Sequence, residues 1–184
     1  MNFLFIGPSR VRIGLAAVVL LVLAACQLVS KGPPPPCPAI FIVQDAAEVT
    51  QFLPGLGRDL TDVTLEVEVA DFRGFCETDI GNDGAVEVEL EILMVATRGP
   101  AAKSRESGVR YFVAIADQEE NVLARAEFET AITFESNRNR IEFTEELAQR
   151  IPLRSGKLGD DFSVFVGFVL TEEDLEFNRN KRGR

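Results

Sequence analysis

The sequence contains no histidine and no tryptophan. Histidine is the commonest general base and metal ligand, so its absence excludes Ser-His and Cys-His nucleophiles. With only three cysteines in the chain, it also excludes the ordinary zinc sites. Carboxylates remain for acid–base chemistry, but alternating Glu residues on a strand are typical of a solvated face and not of a glycosidase pair. We therefore expect no enzymatic activity, no metal site and no cofactor. The alternating Glu residues, which are the candidates for such a carboxylate pair, are Glu66, Glu68, Glu87, Glu89 and Glu91.

Basic residues are scarce relative to acids, with 19 Lys and Arg against 29 Asp and Glu. The net charge of −10 becomes −12 when residues 1–26 are removed, because they contain Arg10 and Arg12 and no acid. Nucleic-acid binding needs clustered cations for phosphate contacts, so nucleic acid is not an expected partner. The C-terminal tail is basic, with Arg179, Lys181, Arg182 and Arg184. We expect them to form a frayed, solvated tail, with contact to acidic lipid headgroups or an acidic partner as the alternative.

Cysteine is also rare, with three residues, and the first of them ends an apolar run. Two arginines precede the apolar residues 13–23, and Leu23-Ala24-Ala25-Cys26 completes the segment. A positive region, a short apolar helix and small residues at a cleavage site are typical of a secretory signal. The run is too short for an ordinary membrane-spanning helix, which needs about 20 apolar residues.

Leu23-Ala24-Ala25-Cys26 resembles the lipobox of bacterial lipoproteins. The resemblance implies that diacylglycerol is attached to Cys26, that cleavage occurs before this residue, and that acyl chains anchor the protein to a membrane. Gln27 replaces the Asp that retains lipoproteins in the inner membrane, which implies the outer membrane, facing the periplasm. Beyond residue 26, the chain resembles only uncharacterised lipoproteins of proteobacteria, and no function follows from that resemblance.

These features predict three segments. They are a signal peptide at 1–25, a lipidated Cys with a proline-rich linker at 26–36, and one domain at 37–184. Within the linker, Pro33 to Pro36 favour an extended polyproline II stalk.

Two cysteines, Cys37 and Cys76, remain after the lipidated one. Export would place both in an oxidising compartment, where an even pair of cysteines favours a disulfide. We expect this disulfide to tie the end of the stalk to a strand. Free thiols and intermolecular pairing are the alternatives.

Apolar and polar residues alternate with a period of two along the domain, which predicts half-buried β-strands. The clearest run places Val86, Val88 and Leu90 on one face and Glu residues on the other. About seven strands separated by turns favour an all-β fold, an antiparallel two-sheet sandwich that is immunoglobulin-like in general shape, with a closed barrel as the alternative. The strands are expected at Ala39–Val43, from Val63, from Val86, at Tyr111–Ala116, from Ala124, near Arg140–Phe143 and at Phe162–Leu170.

Helical structure is expected to be minor. Thr171 followed by three acids is typical of a helix N-terminus and predicts a short C-terminal helix over Glu172–Asn178. Thr144 is expected to cap a turn at Glu145–Gln149 in the same way.

Three loops are candidate sites. Asp79 to Gly84 contains oxygen ligands loosely spaced like a calcium loop, but it lacks the pattern of an EF-hand and favours a plain turn. Gly55 to Asp59 lies before a strand, which is the wrong context for a phosphate cradle, and Arg58 is expected to pair locally with Asp59 or Asp62.

The third loop joins two strands and carries Arg98, Lys103 and Arg105. Mobile loops at the end of a sandwich are natural binding surfaces, and a basic loop on an acidic domain is the best candidate for docking. A merely solvated loop is the alternative.

These observations favour a lipid-anchored, non-enzymatic scaffold or binding module of the cell envelope, with an unidentified envelope protein as partner. A sandwich that binds a glycan, lipid or metal is the alternative. A hydrolase that uses carboxylates alone is the least favoured hypothesis.

Overall fold

The runs of alternating residues form strands in the computed structural model, which describes residues 35–55, 57–79, 84–154 and 156–183. The signal peptide, Cys26 and most of the linker lie outside the described residues. The described strands are β1 (Ala39–Ile42), β2 (Glu48–Phe52), β3 (Val63–Asp79), β4 (Ala85–Arg98), β5 (Glu106–Asp117), β6 (Val122–Thr133), β7 (Arg140–Pro152) and β8 (Phe162–Phe168), and the α-helix α1 (Glu172–Arg182) follows them.

The strands form two four-stranded sheets that pack as a sandwich. The first sheet has the order β1-β8-β5-β6 and the second has the order β2-β3-β4-β7. β1 runs parallel to β8, and the other pairs in these sheets are antiparallel. The predicted two-sheet sandwich with a C-terminal helix is therefore confirmed, with one parallel pair where only antiparallel pairs were expected.

The inward side chains of the two sheets form one apolar core. Strand β4 lies inside the second sheet, and its inward residues are fully buried because they face the first sheet. Burial of these side chains is the main stabilising contribution, at roughly 25 cal/mol for each Å² of apolar surface. The most buried large side chains include Leu65, Leu90, Ile92, Met94, Tyr111, Ile151 and Phe168.

Tyr111 is buried in the core, so its hydroxyl needs a hydrogen-bond partner within the protein. Its ring stacks on Phe128 with 5.3 Å between ring centroids, and its hydroxyl donates a hydrogen bond of 3.0 Å to Glu145 Oε2. Burial and the adjacent carboxylate raise the pKa of the Tyr111 hydroxyl. The bond holds Glu145, a charged residue of an edge strand, on the inner side of the second sheet.

Cys37 and Cys76 form the expected disulfide, with 5.9 Å between their Cα atoms. Cys37 lies just before β1 of the first sheet, and Cys76 lies in β3 of the second sheet. The bond therefore joins the two sheets where the described chain begins.

The length of strand β7 differs from the prediction. A short strand near Arg140–Phe143 and a capped turn at Glu145–Gln149 were expected, but residues Arg140–Pro152 form one strand. Glu145 and Gln149 interrupt the apolar alternation and favour helix locally. Pairing with β4 along the whole length of β7 overrides that preference.

Two further differences concern the ends of the domain. The sequence pattern did not predict β2, because Glu48–Phe52 is short and lacks a regular alternation. The helix cap was predicted correctly, since Thr171 accepts a hydrogen bond from the Asp174 amide. The helix extends to Arg182, so the expected frayed tail is wrong for residues 179–182.

We expect replacement of both cysteines in Cys37→Ala/Cys76→Ala to lower the free energy of unfolding by about 3 kcal/mol, because the bond closes a long loop in the unfolded chain. Urea denaturation with and without a reductant measures the change. Reductant should destabilise the wild type equally and leave the double variant unchanged. A double variant as stable as the oxidised wild type would contradict a stabilising role.

Candidate functional site

The outer face of the second sheet is acidic. Residues directly opposite each other on paired strands share a face, and the register of β3, β4 and β7 places ten carboxylates and three arginines on the side away from the core. We call this surface the acidic face. Its charged residues are Glu66, Glu68, Asp71, Arg73, Glu77, Asp79, Glu87, Glu89, Glu91, Arg140, Glu142, Glu146 and Arg150.

The charges on the acidic face are only partly compensated. Arg140 pairs with Glu68 at 3.4 Å, and Arg150 pairs with Glu87 at 2.6 Å. Elsewhere like charges lie directly opposite each other, as for Glu91 and Glu146. Directly opposed carboxylates on neighbouring strands destabilise a sheet, so this surface carries repulsion that its own arginines do not fully relieve.

An aromatic side chain lies within the acidic face. Phe75 of β3 is 59% exposed, and Glu89 of β4 lies directly opposite it. Large exposed aromatic residues surrounded by polar groups are typical anchors of protein interfaces. The acidic face thus combines an exposed aromatic side chain with mainly acidic surroundings, in which Arg73 is the nearest cation along β3.

The C-terminal helix covers one end of the acidic face. Lys181 contacts Glu48 at 2.8 Å and Glu66 at 3.7 Å. Asn178, which is buried, donates hydrogen bonds to the carbonyl oxygens of Asp45 at 3.0 Å and Glu48 at 2.8 Å. The helix therefore neutralises the β2 end of the acidic face and protects the backbone beside β2.

Arg58 holds the N-terminal end of the helix. Its guanidinium contacts Glu173 at 2.6 Å and Asp174 at 3.1 Å, and it lies 5.2 Å from the ring centroid of Phe52. Phe52 meets Phe177 of the helix edge to face at 5.1 Å. The helix is thus attached by an aromatic contact surrounded by ion pairs.

The attachment changes the ionisation of two carboxyl groups. Hydrogen bonds from Arg179 and then Arg182 hold the pKa of Asp45 below its usual range. Burial opposes ionisation of Asp174, but hydrogen bonds from Thr171 and Arg58 outweigh burial and lower its pKa.

Two clefts flank the Arg58 side chain. One, of about 440 Å³, has apolar walls that include Phe52, Val63 and Phe177. The other, of about 780 Å³, lies between residues 50–55, 57 and 58 on one side and residues 171–174 on the other. Thr50 lines both clefts, is 3% exposed, and has a buried hydroxyl without a hydrogen-bond partner among the described residues.

The expected local ion pair of Arg58 with Asp59 or Asp62 is wrong. The residue reaches more than 100 positions along the chain to the helix, because the fold brings that helix beside the loop. The loop that contains Gly55 and Gly57 forms a wall of the larger cleft.

Four residues of the calcium-loop candidate, 80–83, lie outside the described residues.

The docking-loop residues have different roles. Arg98 donates hydrogen bonds to the carbonyl oxygens of Ala102 and Ser104, which closes its own loop. Arg105 donates to the carbonyl oxygens of Glu135 and Ser136 at 2.6 Å each, which joins two loops. Lys103 is exposed. Partner binding by Arg98, Lys103 and Arg105 stays a prediction, but two of the three cations stabilise loop structure.

The acidic face as a surface does not follow from the sequence pattern. Glu142 and Glu146 join it only because β7 is longer than its alternation predicts, and Phe75 joins it because it follows a β-bulge between Val69 and Asp71. In the sequence, the available signal for this surface was an aromatic residue, Phe75, within a segment rich in charged residues.

The residues described contain no helix with the length and apolar content needed to span a membrane. Within the same ranges, no group of three or more Cys, Asp or Glu side chains is arranged to hold a metal ion.

No family model and no curated protein matches this sequence. Two solved structures of glycosyl hydrolase family 2 members from Bacteroides cellulosilyticus are similar over part of the chain, at 14% and 15% identity. The similarity covers 52% and 59% of this chain but 16% of each hydrolase chain, with a TM-score of 0.26 in both cases. Similarity of this extent carries no functional argument.

We expect acid to release the helix before the sandwich unfolds. Asp45 and Asp174 have a lower pKa in the folded protein than in the unfolded chain, so they stabilise the docked helix above pH about 4. That stabilisation is lost as the pH falls through their folded-state values. Because the chain has no Trp, Phe177→Trp provides a single fluorescent reporter, whose emission should shift to the red in this range.

The matched control is Phe165→Trp, a half-buried site on the first sheet, whose emission should stay constant over the same pH range. Far-UV circular dichroism monitors the strands in both variants. If the Phe177→Trp emission changes only together with the strand signal, the helix does not separate as a unit.

Proposed function

We propose that this protein is a lipid-anchored lipoprotein of the cell envelope, and that its sandwich is a non-enzymatic protein-binding or scaffolding module. The acidic face carries the proposal: three long strands present ten carboxylates, three arginines and the exposed Phe75. This surface suits a basic segment of an envelope protein, because opposite charge promotes association and Phe75 supplies an apolar anchor.

The anchor in this proposal is Cys26, supported by the residues that resemble a lipobox. Two or three acyl chains on one residue give stable attachment, whereas a single chain gives only marginal binding. The proline-rich linker would then hold the acidic face away from the headgroups. Gln27 supports the outer membrane, with the domain facing the periplasm.

A second candidate function is binding of a small ligand, and Thr50 favours it. Its buried hydroxyl has no described partner, and the residue lines both clefts beside Arg58. A buried hydroxyl without a partner costs free energy that a bound polar group would recover. A screen of glycans and lipids by thermal shift tests this candidate, with Thr50→Val as the control that should abolish any shift.

We expect Cys26→Ser to abolish metabolic labelling with palmitate and to release the protein from the membrane fraction, because the acylated thiol would be lost. Labelling followed by membrane fractionation measures both effects. Cys37→Ser is the matched control and should keep the label. Label retained on Cys26→Ser would contradict the anchor.

We expect crosslinking in living cells, followed by affinity capture and mass spectrometry, to recover one defined set of envelope proteins with basic surfaces. Phe75→Ala combined with Glu89→Lys should reduce their recovery about tenfold, since loss of an interface anchor costs about 1–2 kcal/mol. Phe41→Ala is the matched control, because Phe41 is an exposed aromatic residue of the first sheet, 48% exposed and stacked on Phe165.

Equal recovery by the acidic-face variant and the wild type would show that this face is not the docking surface. Loss of recovery in Phe41→Ala alone would assign docking to the first sheet instead.

A further inference from the structure

Strand β7 forms one edge of the second sheet. It is 13 residues long, it pairs with β4 without a register shift, and no described strand pairs with its other side. Long, regular edge strands are ready templates for pairing with another strand. Whether β7 can pair depends on where its free backbone groups and side chains point.

The hydrogen bonds just beyond both ends of β7 define the direction of its backbone groups. The Arg98 amide donates to the Asn139 carbonyl at 2.7 Å, and the Leu153 amide donates to the Gly84 carbonyl at 2.8 Å. Backbone groups alternate in direction along an antiparallel strand. Odd-numbered residues of β7 therefore bond to β4, and even-numbered residues from Arg140 to Arg150 direct their amide and carbonyl groups to the free edge.

The same even-numbered residues carry the outward side chains of β7. Glu146 lies opposite Glu91 of β4 and has no ion pair with a described residue, so it is an uncompensated carboxylate. Four positions away, Arg150 already contacts Glu87 on the β4 side, and its side chain remains 53% exposed. An added strand could place a cation beside Glu146 and a carboxylate beside Arg150.

We infer that β7 pairs antiparallel with β7 of a second copy of this chain, centred on Ala148. This register places Glu146 opposite Arg150 of the second copy, and by symmetry the reverse pair also forms. Glu142 then lies opposite Arg154, just beyond the strand. The two second sheets become one eight-stranded sheet with a continuous acidic face.

Charge selects this register. A pair centred on Glu146 places two glutamates opposite each other, and a pair centred on Arg150 places two arginines opposite each other. A pair centred on Thr144 places Glu142 opposite Glu146 of the second copy. Of the registers centred on residues 144–150, the one at Ala148 pairs Glu with Arg and opposes no like charges. Opposite charges across strands contribute roughly 0.2–1 kcal/mol for each pair, and like charges destabilise.

The inner side of the same edge supplies apolar surface. Ile141, Phe143 and Leu147 of β7 are only partly buried against the core, as is Phe128 on the edge strand β6 of the first sheet. An added strand would cover the β7 side chains with its own inward residues. The interface would therefore combine backbone hydrogen bonds, apolar burial and symmetric ion pairs.

The test uses Ala148→Cys in the full chain, expressed in cells. The other cysteines are either disulfide-bonded or expected to be lipidated, so residue 148 would carry the free thiol. Hydrogen-bonded antiparallel partners lie about 5.5 Å apart at Cα, within disulfide range. We expect a covalent dimer on non-reducing electrophoresis. Ala131→Cys is the matched control, because Ala131 is an exposed outward residue of the edge strand β6, and it should stay monomeric.

Charge variants in the Ala148→Cys background test the register. Glu146→Arg and Arg150→Glu should each lower the dimer fraction about tenfold, and the combined exchange should restore it. Circular dichroism and an intact Cys37–Cys76 bond show that each variant is folded. The inference is overturned if folded Ala148→Cys stays monomeric, if Ala131→Cys crosslinks equally, or if a ladder of larger species forms.

Discussion

The pairing of β4 with β3 on one side and with β7 on the other determines which side chains of the second sheet enter the core and which form its acidic face. Because side chains alternate along a strand, this register assigns the paired residues of the three strands to the inner or the outer side of the sheet. The inward side chains of β4 are buried, whereas Glu87, Glu89 and Glu91 form the middle of the acidic face. The β-bulge between Val69 and Asp71 preserves this assignment over the long β3, and the disulfide joins β3 to the first sheet.

Electrostatic compensation is uneven across the second sheet. Near β2, the C-terminal helix brings Lys181 to Glu48 and Glu66, and it brings two arginines to Asp45. Farther along, Glu146 lies opposite Glu91, which has Arg73 opposite it on β3, and Glu146 itself has no ion pair with a described residue. Exposed ion pairs contribute little individually, so the helix depends on several of them together with the Phe52–Phe177 contact and the two hydrogen bonds of Asn178. The uncompensated region is the part of the surface on which the proposed binding role rests.

The differences between sequence expectation and structure have a common physical cause. Arg58 was expected to pair with Asp59 or Asp62, yet it contacts Glu173 and Asp174, because loop cations pair with whichever carboxylates the fold brings close. Similarly, Glu145 and Gln149 favoured a helical turn, but pairing with β4 and the hydrogen bond from Tyr111 hold them in a strand. Contacts between distant parts of the chain outweigh local preference in both cases.

The sequence by itself determined the class of the domain, most of its strands, the cap of its helix and the pairing of Cys37 with Cys76. These features depend on local periodicity, local hydrogen bonding and the count of cysteines, all of which are readable along the chain. Tertiary structure alone decided the pairing order of the sheets, the full length of β7, the partner of Arg58 and the assembly of the acidic face. Each of these depends on which strands, loops and helix become neighbours, and that depends on the packing of the whole core.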